Sequence, residues 1–232
     1  YCVLQNFSLC DLEFLDFNGK KFSELPFDLR RDLRMLPITV NLLGKGVPDK
    51  VKYILFKRLN TGGMELKPQE IRNAVFQGVA IDTEKEMPND EAFKRATGNK
   101  IPQKRMQDQD FVTRFMAFYL QGYENYVPDL DNFMNTCLEK IKTGAITMNL
   151  IERMKQDFHK SMLRASEIFA DDAFRKRENI SEKKRPINKA YFEVIAYYFA
   201  ILSDEKYAVL KKYKYVFKDR LIYVMALNLS YN

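Results

Sequence analysis

Hydrophobic positions alternate with polar ones only near the start of this chain. The segments Glu13 to Phe17 and Lys21-Phe22 flank Asn18-Gly19, a dipeptide typical of two-residue hairpin turns. The run from Ile38 to Leu43 predicts a further strand, and Ser23 is placed to cap a helix that lies between these elements and ends near Met35. These signals predict a small β element at the N-terminus.

From residue 48 onward the apolar positions recur mainly with the period of an α-helix. Pro48 and Pro68 are placed to open two helices, and the stretch 78–108 is polar enough to predict a loop with one short helix near Asp90 to Ala96. The helix that begins near Asp108 is apolar nearly all round, which favours a central position in a bundle, and Arg114 within it is a second arginine expected to point into apolar surroundings. Further helices are expected at 129–142, 147–171, 188–202, 204–213 and 215–228. The predicted fold class is therefore α+β and mostly α-helical, with a small N-terminal β element followed by a helical bundle.

Arg58 occupies an unusual position in the first of these helices. Its place on the helix lies within the predicted apolar stripe, which consists of Val51, Ile54, Leu55 and Leu59. A guanidinium directed at a core keeps its proton and needs a carboxylate, several carbonyls or a bound anion. The Asn60-Thr61-Gly62-Gly63 turn follows directly, and Glu70 heads a polar row on the next helix. The group predicts the wall of a site.

Two interpretations of this group stay open from the residues alone. Arg58 and Glu70 can form a buried ion pair that pins two helices together with no ligand present. Alternatively, the turn can form a nest of backbone amides for a phosphate, which Arg58, Asn60, Thr61, Gly62, Gly63 and Glu70 would then bind together.

The same stretch resembles a known family. The pattern FKRLNTGG, followed by Gln69-Glu70 and by Arg72-Asn73-Ala74, is similar to the N-terminal domain family of GmrSD-type modification-dependent restriction proteins. The segment NGKKF with Leu25-Pro26, and the helix from Phe111 to Phe118, extend the resemblance over residues 12–135. The resemblance implies a ParB/sulfiredoxin-like core, nucleotide binding and a role in antiphage defence.

Two hallmarks of that family are missing from this sequence. The Asp-Gly-Gln-Gln-Arg motif, which the resemblance links to nucleotide binding and hydrolysis, is not present, and His159 is the only histidine, so an HNH nuclease cannot be built. We therefore expect a fragment of a larger protein, whose full length uses a nucleoside triphosphate with magnesium. For the chain itself we expect no catalytic residue, no metal site and no turnover, because it has no P-loop and no nucleophile–base pair.

Charge divides the chain at a predicted boundary near residues 143–147. We expect a domain over 1–145 and a basic helical subdomain over 146–232, because residues 150–232 hold 17 Lys and Arg against 11 Asp and Glu. Three clusters carry this excess and are candidates for contact with nucleic acid: Arg175, Lys176 and Arg177; Lys183, Lys184 and Arg185; and Lys211, Lys212 and Lys214. Ordinary solvated surface is the alternative interpretation.

Composition limits the remaining classes. Apolar residues make up 46% of the chain, which excludes disorder, and no apolar run is long enough for a membrane span. Three cysteines without CxxC spacing suit free thiols in a cytoplasmic protein. The sequence therefore predicts a nucleotide-dependent, DNA-sensing domain of a GmrSD-like restriction protein. The alternative is a non-catalytic helical scaffold whose basic half docks nucleic acid or a protein partner.

Overall fold

The computed structural model describes residues 8–10, 12, 16–37, 40, 42–44, 46–59, 65–170, 173–176 and 185–229, the last five of these for their backbone only. The chain divides into two compact units, residues 1–46 and residues 47–232. The predicted boundary at 145/146 therefore lies inside the second unit, where Ile141 and Ile146 are both buried in the same hydrophobic core.

The described residues of the first unit form a turn and one α-helix. Gly19 adopts a φ of +82°, and its amide donates to the carbonyl of Leu9 at 2.7 Å. Ser8 and Lys21 form an isolated antiparallel bridge beyond the turn. A short 3-10 turn over Phe22–Glu24 then leads into α1, Phe27–Met35.

The described part of the chain contains no β-strand, so the predicted N-terminal β element is not found there. The turn at Asn18-Gly19 does form, but its described pairing joins residues 8–9 to 20–21. Residues 13–15, 38, 39 and 41, on which both predicted strands depended, lie outside the described residues. What is established is a mostly helical protein.

Ten α-helices form the described part of the second unit. They are α2 Asp49–Leu59, α3 Pro68–Val75, α4 Val79–Glu86, α5 Glu91–Thr97, α6 Gln107–Gln121, α7 Leu130–Lys142, α8 Met148–Phe169, α9 Lys189–Ile201, α10 Asp204–Lys212 and α11 Lys214–Leu229. Short 3-10 turns occupy Met87–Asn89, Lys104–Met106 and Tyr123–Asn125. The helices predicted from periodicity are present within a few residues of their expected ends.

Helix α4 departs from the sequence expectation, which was a loop over 78–108 with one short helix. Gly78 adopts a φ of +84° and starts this helix. Its buried face combines Ala80 and Ile81 with Thr83 and Glu84. A fully buried glutamate breaks the apolar pattern by which a helix is recognised in a sequence, because binary patterning assigns charged residues to the surface.

Helix α6 lies at the centre of the bundle, as its continuous apolar surface predicted. Val112, Phe115, Met116 and Ala117 are all 0% exposed. Helix α6 packs against α7 and α9, and α9 packs in turn against α8. Aromatic rings fill the space between them, with Phe115 4.9 Å from Phe158 and Phe111 5.1 Å from Phe192 between ring centroids. The core thus fixes α6 and α9 side by side, and this arrangement positions the site described below.

Candidate functional site

Arg58 is exposed at the C-terminal end of α2, so the expectation that its guanidinium points into the core is wrong. Glu70 does lie in a largely buried position, but its ion pair is with Arg105, whose Nη2 is 2.8 Å from Glu70 Oε2. Asn60, Thr61, Gly62 and Gly63 lie outside the described residues, so the predicted phosphate-binding turn remains a prediction.

The reason is the face that α2 presents to its neighbours. Helix α2 buries Tyr53 and Asp49, which lie on the opposite side from the predicted apolar stripe. Val51, Ile54 and Leu59 in that stripe are 50%, 42% and 64% exposed. A helical period identifies a stripe but not the neighbour that covers it. Here Lys142 of α7 binds the carboxylate of Asp49, which turns the Asp49 face of α2 inward, and Lys52 on α2 itself binds the same carboxylate.

The fully buried arginine of this region is Arg72 in α3, which is 0% exposed. Its Nε donates to Asn135 Oδ1 at 3.0 Å, and its Nη1 donates to Gln69 Oε1 at 3.1 Å. Its Nη2 forms a short ion pair with Asp131, and its Nη1 lies 3.7 Å from Asp110 Oδ1. Arg72 therefore joins α3 to α6 and α7 through one guanidinium.

The hydrogen-bond network continues from Arg72 into the core through Gln69. The side-chain amide of Gln69 donates to Glu84 Oε2 at 2.8 Å, and the hydroxyl of Thr113 donates to Glu84 Oε1 at 2.5 Å. Glu84 is 0% exposed, and this burial raises its pKa to about 7 even though these hydrogen bonds and Arg72 favour the carboxylate. A carboxyl group that titrates near neutrality thus lies at the inner end of the network.

Toward the surface, the network continues through Asp110 of α6. Asp110 Oδ2 is 3.0 Å from Nε of Arg114 and 2.7 Å from Nζ of Lys189. Burial alone would raise the pKa of Asp110, but the charges of Arg114 and Lys189 hold it below its ordinary value. Arg114 also pairs with Glu193, and it is mostly buried, as its position in an apolar helix predicted.

These side chains border a cavity of about 390 Å³, which we call the polar cleft. Four cationic side chains line it together with two carboxylates and three further residues: Lys67, Arg105, Arg114 and Lys189; Asp110 and Asp131; and Pro68, Gln69 and Gln107. Cations therefore outnumber carboxylates along its wall. Because each of the two carboxylates also accepts from Arg72 or lies close to it, part of their charge is already compensated from beneath.

Four helices begin at the polar cleft. Pro68 is the first residue of α3, Gln107 of α6 and Lys189 of α9, and Asp131 is the second residue of α7. The N-terminus of a helix carries a partial positive charge and amide groups without intrahelical partners. A concave site where several helices begin, and to which lysine and arginine side chains are added, favours an anion, and phosphate above all.

The backbone at one edge of the polar cleft is strained. Arg105 and Met106 have φ values of +59° and +56°, which residues with a side chain rarely adopt. This conformation places the Arg105 guanidinium on the carboxylate of Glu70 and on the carbonyl of Glu65. Arg105 thereby fixes the segment that directly follows the RLNTGG turn, and the pKa of Glu70 is lowered by this hydrogen bond.

The sequence indicated part of this site but missed its centre. Glu70 and Arg114 were singled out, whereas Arg72, Arg105, Asp110 and Lys189 were not. One signal was available, because Gln69, Arg72 and Asn73 form a polar row at i, i+3 and i+4 beside Ile71 and Val75. Two partners of Arg72, Asp131 and Asn135, lie 59 and 63 residues away in the chain, so no local pattern could name them.

The three basic clusters lie in different settings. Arg175, Lys176 and Arg185 are half-buried, and Arg175 donates to the backbone carbonyl of Arg185. Lys211 pairs with Glu167, while Lys212 and Lys214 lie over the rings of Tyr213 and Tyr215. Arg177, Lys183 and Lys184 fall outside the described residues, so their proposed contact with nucleic acid remains a prediction.

Other chemistry is limited in the described residues. His159 is exposed, as expected, with Nδ1 2.8 Å from Asp90 Oδ2. Within the described ranges, no group of three or more His, Cys, Asp and Glu side chains is arranged to hold a metal ion. No described helix has the length and apolar character to cross a bilayer.

Comparison with protein-family models, with curated proteins and with solved structures finds no match for this chain. Its function is therefore argued from the chemistry of the polar cleft.

Proposed function

We propose that this chain is a phosphate-binding, nucleotide-dependent and DNA-sensing domain of a cytoplasmic restriction or antiphage defence protein similar to the GmrSD family. The observation that carries the proposal is the polar cleft, where four helices begin and four cationic side chains meet. That combination of helix N-termini, lysine and arginine is the chemistry by which proteins bind phosphate groups.

Within this proposal the main phosphate contacts come from Lys67, Arg105, Arg114 and Lys189, and Arg58 has no established part in them. The RLNTGG segment keeps a supporting role in the proposal, because Arg105 binds Glu65 and Glu70, which come two and seven residues after it in the chain. Magnesium is commonly bound by one or two carboxylates together with the phosphates of its nucleotide. Asp110 and Asp131, the carboxylates of the polar cleft, already pair with Arg114, Lys189 and Arg72, so magnesium would be held mainly by the phosphates of its nucleotide.

A direct test is the affinity of the chain for inorganic triphosphate, measured by titration calorimetry at low ionic strength. We expect measurable binding, and we expect Lys189→Met to weaken it by about tenfold, a loss of about 1.4 kcal/mol. Lys206→Met is the matched control, because Lys206 is exposed on α10 and does not line the polar cleft. Equal affinities for the two variants, or no binding by the unmodified chain, would contradict the proposal.

A second candidate function is favoured by the surface at the junction of α10 and α11. Tyr213 and Tyr215 are 53% and 69% exposed, and the ammonium groups of Lys212 and Lys214 lie 5.4 and 5.3 Å from their ring centroids. Exposed aromatic rings beside lysines suit the stacking and charge contacts of single-stranded nucleic acid. This surface supports the alternative of a non-catalytic scaffold that docks nucleic acid through its basic half.

The two candidates separate in one experiment on DNA. If the basic half docks single-stranded DNA, the combined change Lys211→Met, Lys212→Met and Lys214→Met reduces the slope of log affinity against log salt by about two, since each phosphate contact on a single strand contributes about 0.7. Triphosphate binding should be unchanged in this variant. If the variant loses triphosphate binding and retains the DNA slope, the assignment of both surfaces is wrong.

A further inference from the structure

An aromatic groove of about 450 Å³ lies beside the polar cleft. Its wall consists mainly of apolar and aromatic side chains with one carboxylate: Phe118, Tyr123, Val194, Tyr197, Tyr198, Ile201 and Glu193. Tyr123, Val194 and Ile201 are 65%, 63% and 56% exposed. The rings of Tyr123 and Tyr197 meet edge to face, with their centroids 5.8 Å apart.

The polar cleft and this groove lie next to each other along the facing surfaces of α6 and α9. Asp110, Arg114 and Phe118 follow one another at i, i+4 and i+8 on α6, and they match Lys189, Glu193 and Tyr197 on α9. Asp110 pairs with Lys189 and Arg114 with Glu193, while Phe118 and Tyr197 line the aromatic groove together. The two helices therefore run in the same direction, and their facing rows both change from charged to aromatic.

The Arg114–Glu193 ion pair marks the junction, because Arg114 lines the polar cleft and Glu193 lines the aromatic groove. Lys189 and Tyr197 are eight residues apart on α9, which corresponds to about 12 Å along the helix axis. A ligand that reaches from Lys189 to Tyr197 must therefore be anionic at one end and flat and largely apolar at the other. A nucleoside triphosphate in an extended conformation has this polarity and comparable length.

We propose that the aromatic groove receives the base of a nucleotide whose phosphates occupy the polar cleft, an inference that rests on the proposed function. Tyr123 and Tyr197 supply ring faces and edges for stacking, which is tolerant of base identity. Glu193 supplies an acceptor for an N–H group of the base at the inner edge of the groove. Glu193 Oε1 already accepts from Arg114, so this role falls to its second carboxylate oxygen, and every nucleobase carries at least one N–H donor for it.

The test compares inorganic triphosphate with the four ribonucleoside triphosphates on the 232-residue chain by titration calorimetry. We expect at least one nucleotide to bind about tenfold more tightly than triphosphate, within the range of a single base–aromatic stack. Tyr197→Ala should lower the affinity for that nucleotide to the affinity for inorganic triphosphate, and it should leave the affinity for triphosphate unchanged. Tyr197→Phe retains the ring and should behave like the unmodified chain, and Tyr223→Ala is the control for loss of an exposed tyrosine elsewhere.

The outcomes separate the two proposals. Triphosphate that binds as tightly as every nucleotide would overturn the base-binding role and leave the polar cleft as an anion site. An equal loss of triphosphate and nucleotide binding in Tyr197→Ala would overturn it as well, because the residue would then act on the whole fold. No binding of either ligand by the unmodified chain would overturn both proposals.

Discussion

Two almost completely buried arginines, Arg72 and Arg164, meet their hydrogen-bonding needs in opposite ways. Arg164 belongs to α8, is 4% exposed and lies against the C-terminal end of α9. Its Nη1 donates to the carbonyls of Phe199 and Leu202, both at 2.7 Å, and its Nη2 pairs with Asp204. Arg72 is held by side chains alone and lies beside the polar cleft.

The difference separates a structural arginine from a functional candidate. Backbone carbonyls at the end of α9 need a donor in any state of the protein, so Arg164 acts as a fixed cap. Side-chain acceptors can change rotamer and the carboxylates among them can titrate, so a network made of them can rearrange when an anion enters. The burial of an arginine therefore indicates little about its role, whereas the identity of the groups that accept its hydrogen bonds indicates much more.

The largest expected effect comes from Arg72→Met. The change leaves the carboxylates of Asp110 and Asp131 without the cation between them, and we expect a loss of about 3–5 kcal/mol in the free energy of unfolding. Urea denaturation followed by circular dichroism measures it. Arg95→Met, at an exposed position of α5, is the control. A loss below about 1 kcal/mol would mean that Arg72 is not essential to the network.

Arg164→Met should cost nearly as much stability but leave the ligand site unaffected. Two backbone carbonyls lose their donor, so we expect a loss of about 3 kcal/mol in the free energy of unfolding. The affinity of the folded variant for inorganic triphosphate should equal that of the unmodified chain. If it falls as it does for Lys189→Met, the distinction between the two arginines fails.

Glu84→Gln tests the titratable end of the Arg72 network. Because the pKa of Glu84 is about 7 in the folded protein against an ordinary value of 4.5, the folded state holds this proton more tightly than the unfolded state. The contribution of Glu84 to stability therefore falls as pH rises from about 5 to 7, by about 2 kcal/mol. Glu84→Gln should remove this fall.

The measurement is the difference in unfolding free energy between Glu84→Gln and the unmodified chain at several pH values. Carboxylates with lowered pKa, such as Asp110, contribute to the pH dependence of both proteins and cancel in this difference. Glu86→Gln, at an exposed position on the same helix, should show no such pH dependence. A difference that is constant between pH 5 and pH 7 would contradict the buried, titrating carboxyl.

The smallest effect is expected at the exposed pair near Arg164. Lys211 and Glu167 are 54% and 44% exposed, so their ion pair is screened by solvent. Lys211→Met should change the free energy of unfolding by less than about 1 kcal/mol. A double-mutant cycle with Glu167→Gln measures the coupling directly. A coupling energy above about 2 kcal/mol would show that this surface is more rigid than its exposure indicates.

Most of the helical architecture was predictable because its signals are local. The continuous apolar surface of α6 predicted its central position, and Asn188 and Ser203 cap the helices whose starts they marked. Helix α4 escaped prediction because Glu84 occupies a core position there. The division of the chain at residue 46, instead of 145, depends on long-range packing that the change in charge density did not reflect.

The candidate site shows where sequence reasoning stops. The sequence by itself determined the helical period and placed Arg114 within an apolar helix, where a buried guanidinium needs partners. Only the tertiary structure decided that Arg72, and not Arg58, is the buried arginine, since residues on distant helices determine which face of each helix is covered. The helical period follows from hydrogen bonds between residues four apart. The polar cleft instead combines residues as distant in the chain as Lys67 and Lys189, through the packing of α3, α6, α7 and α9.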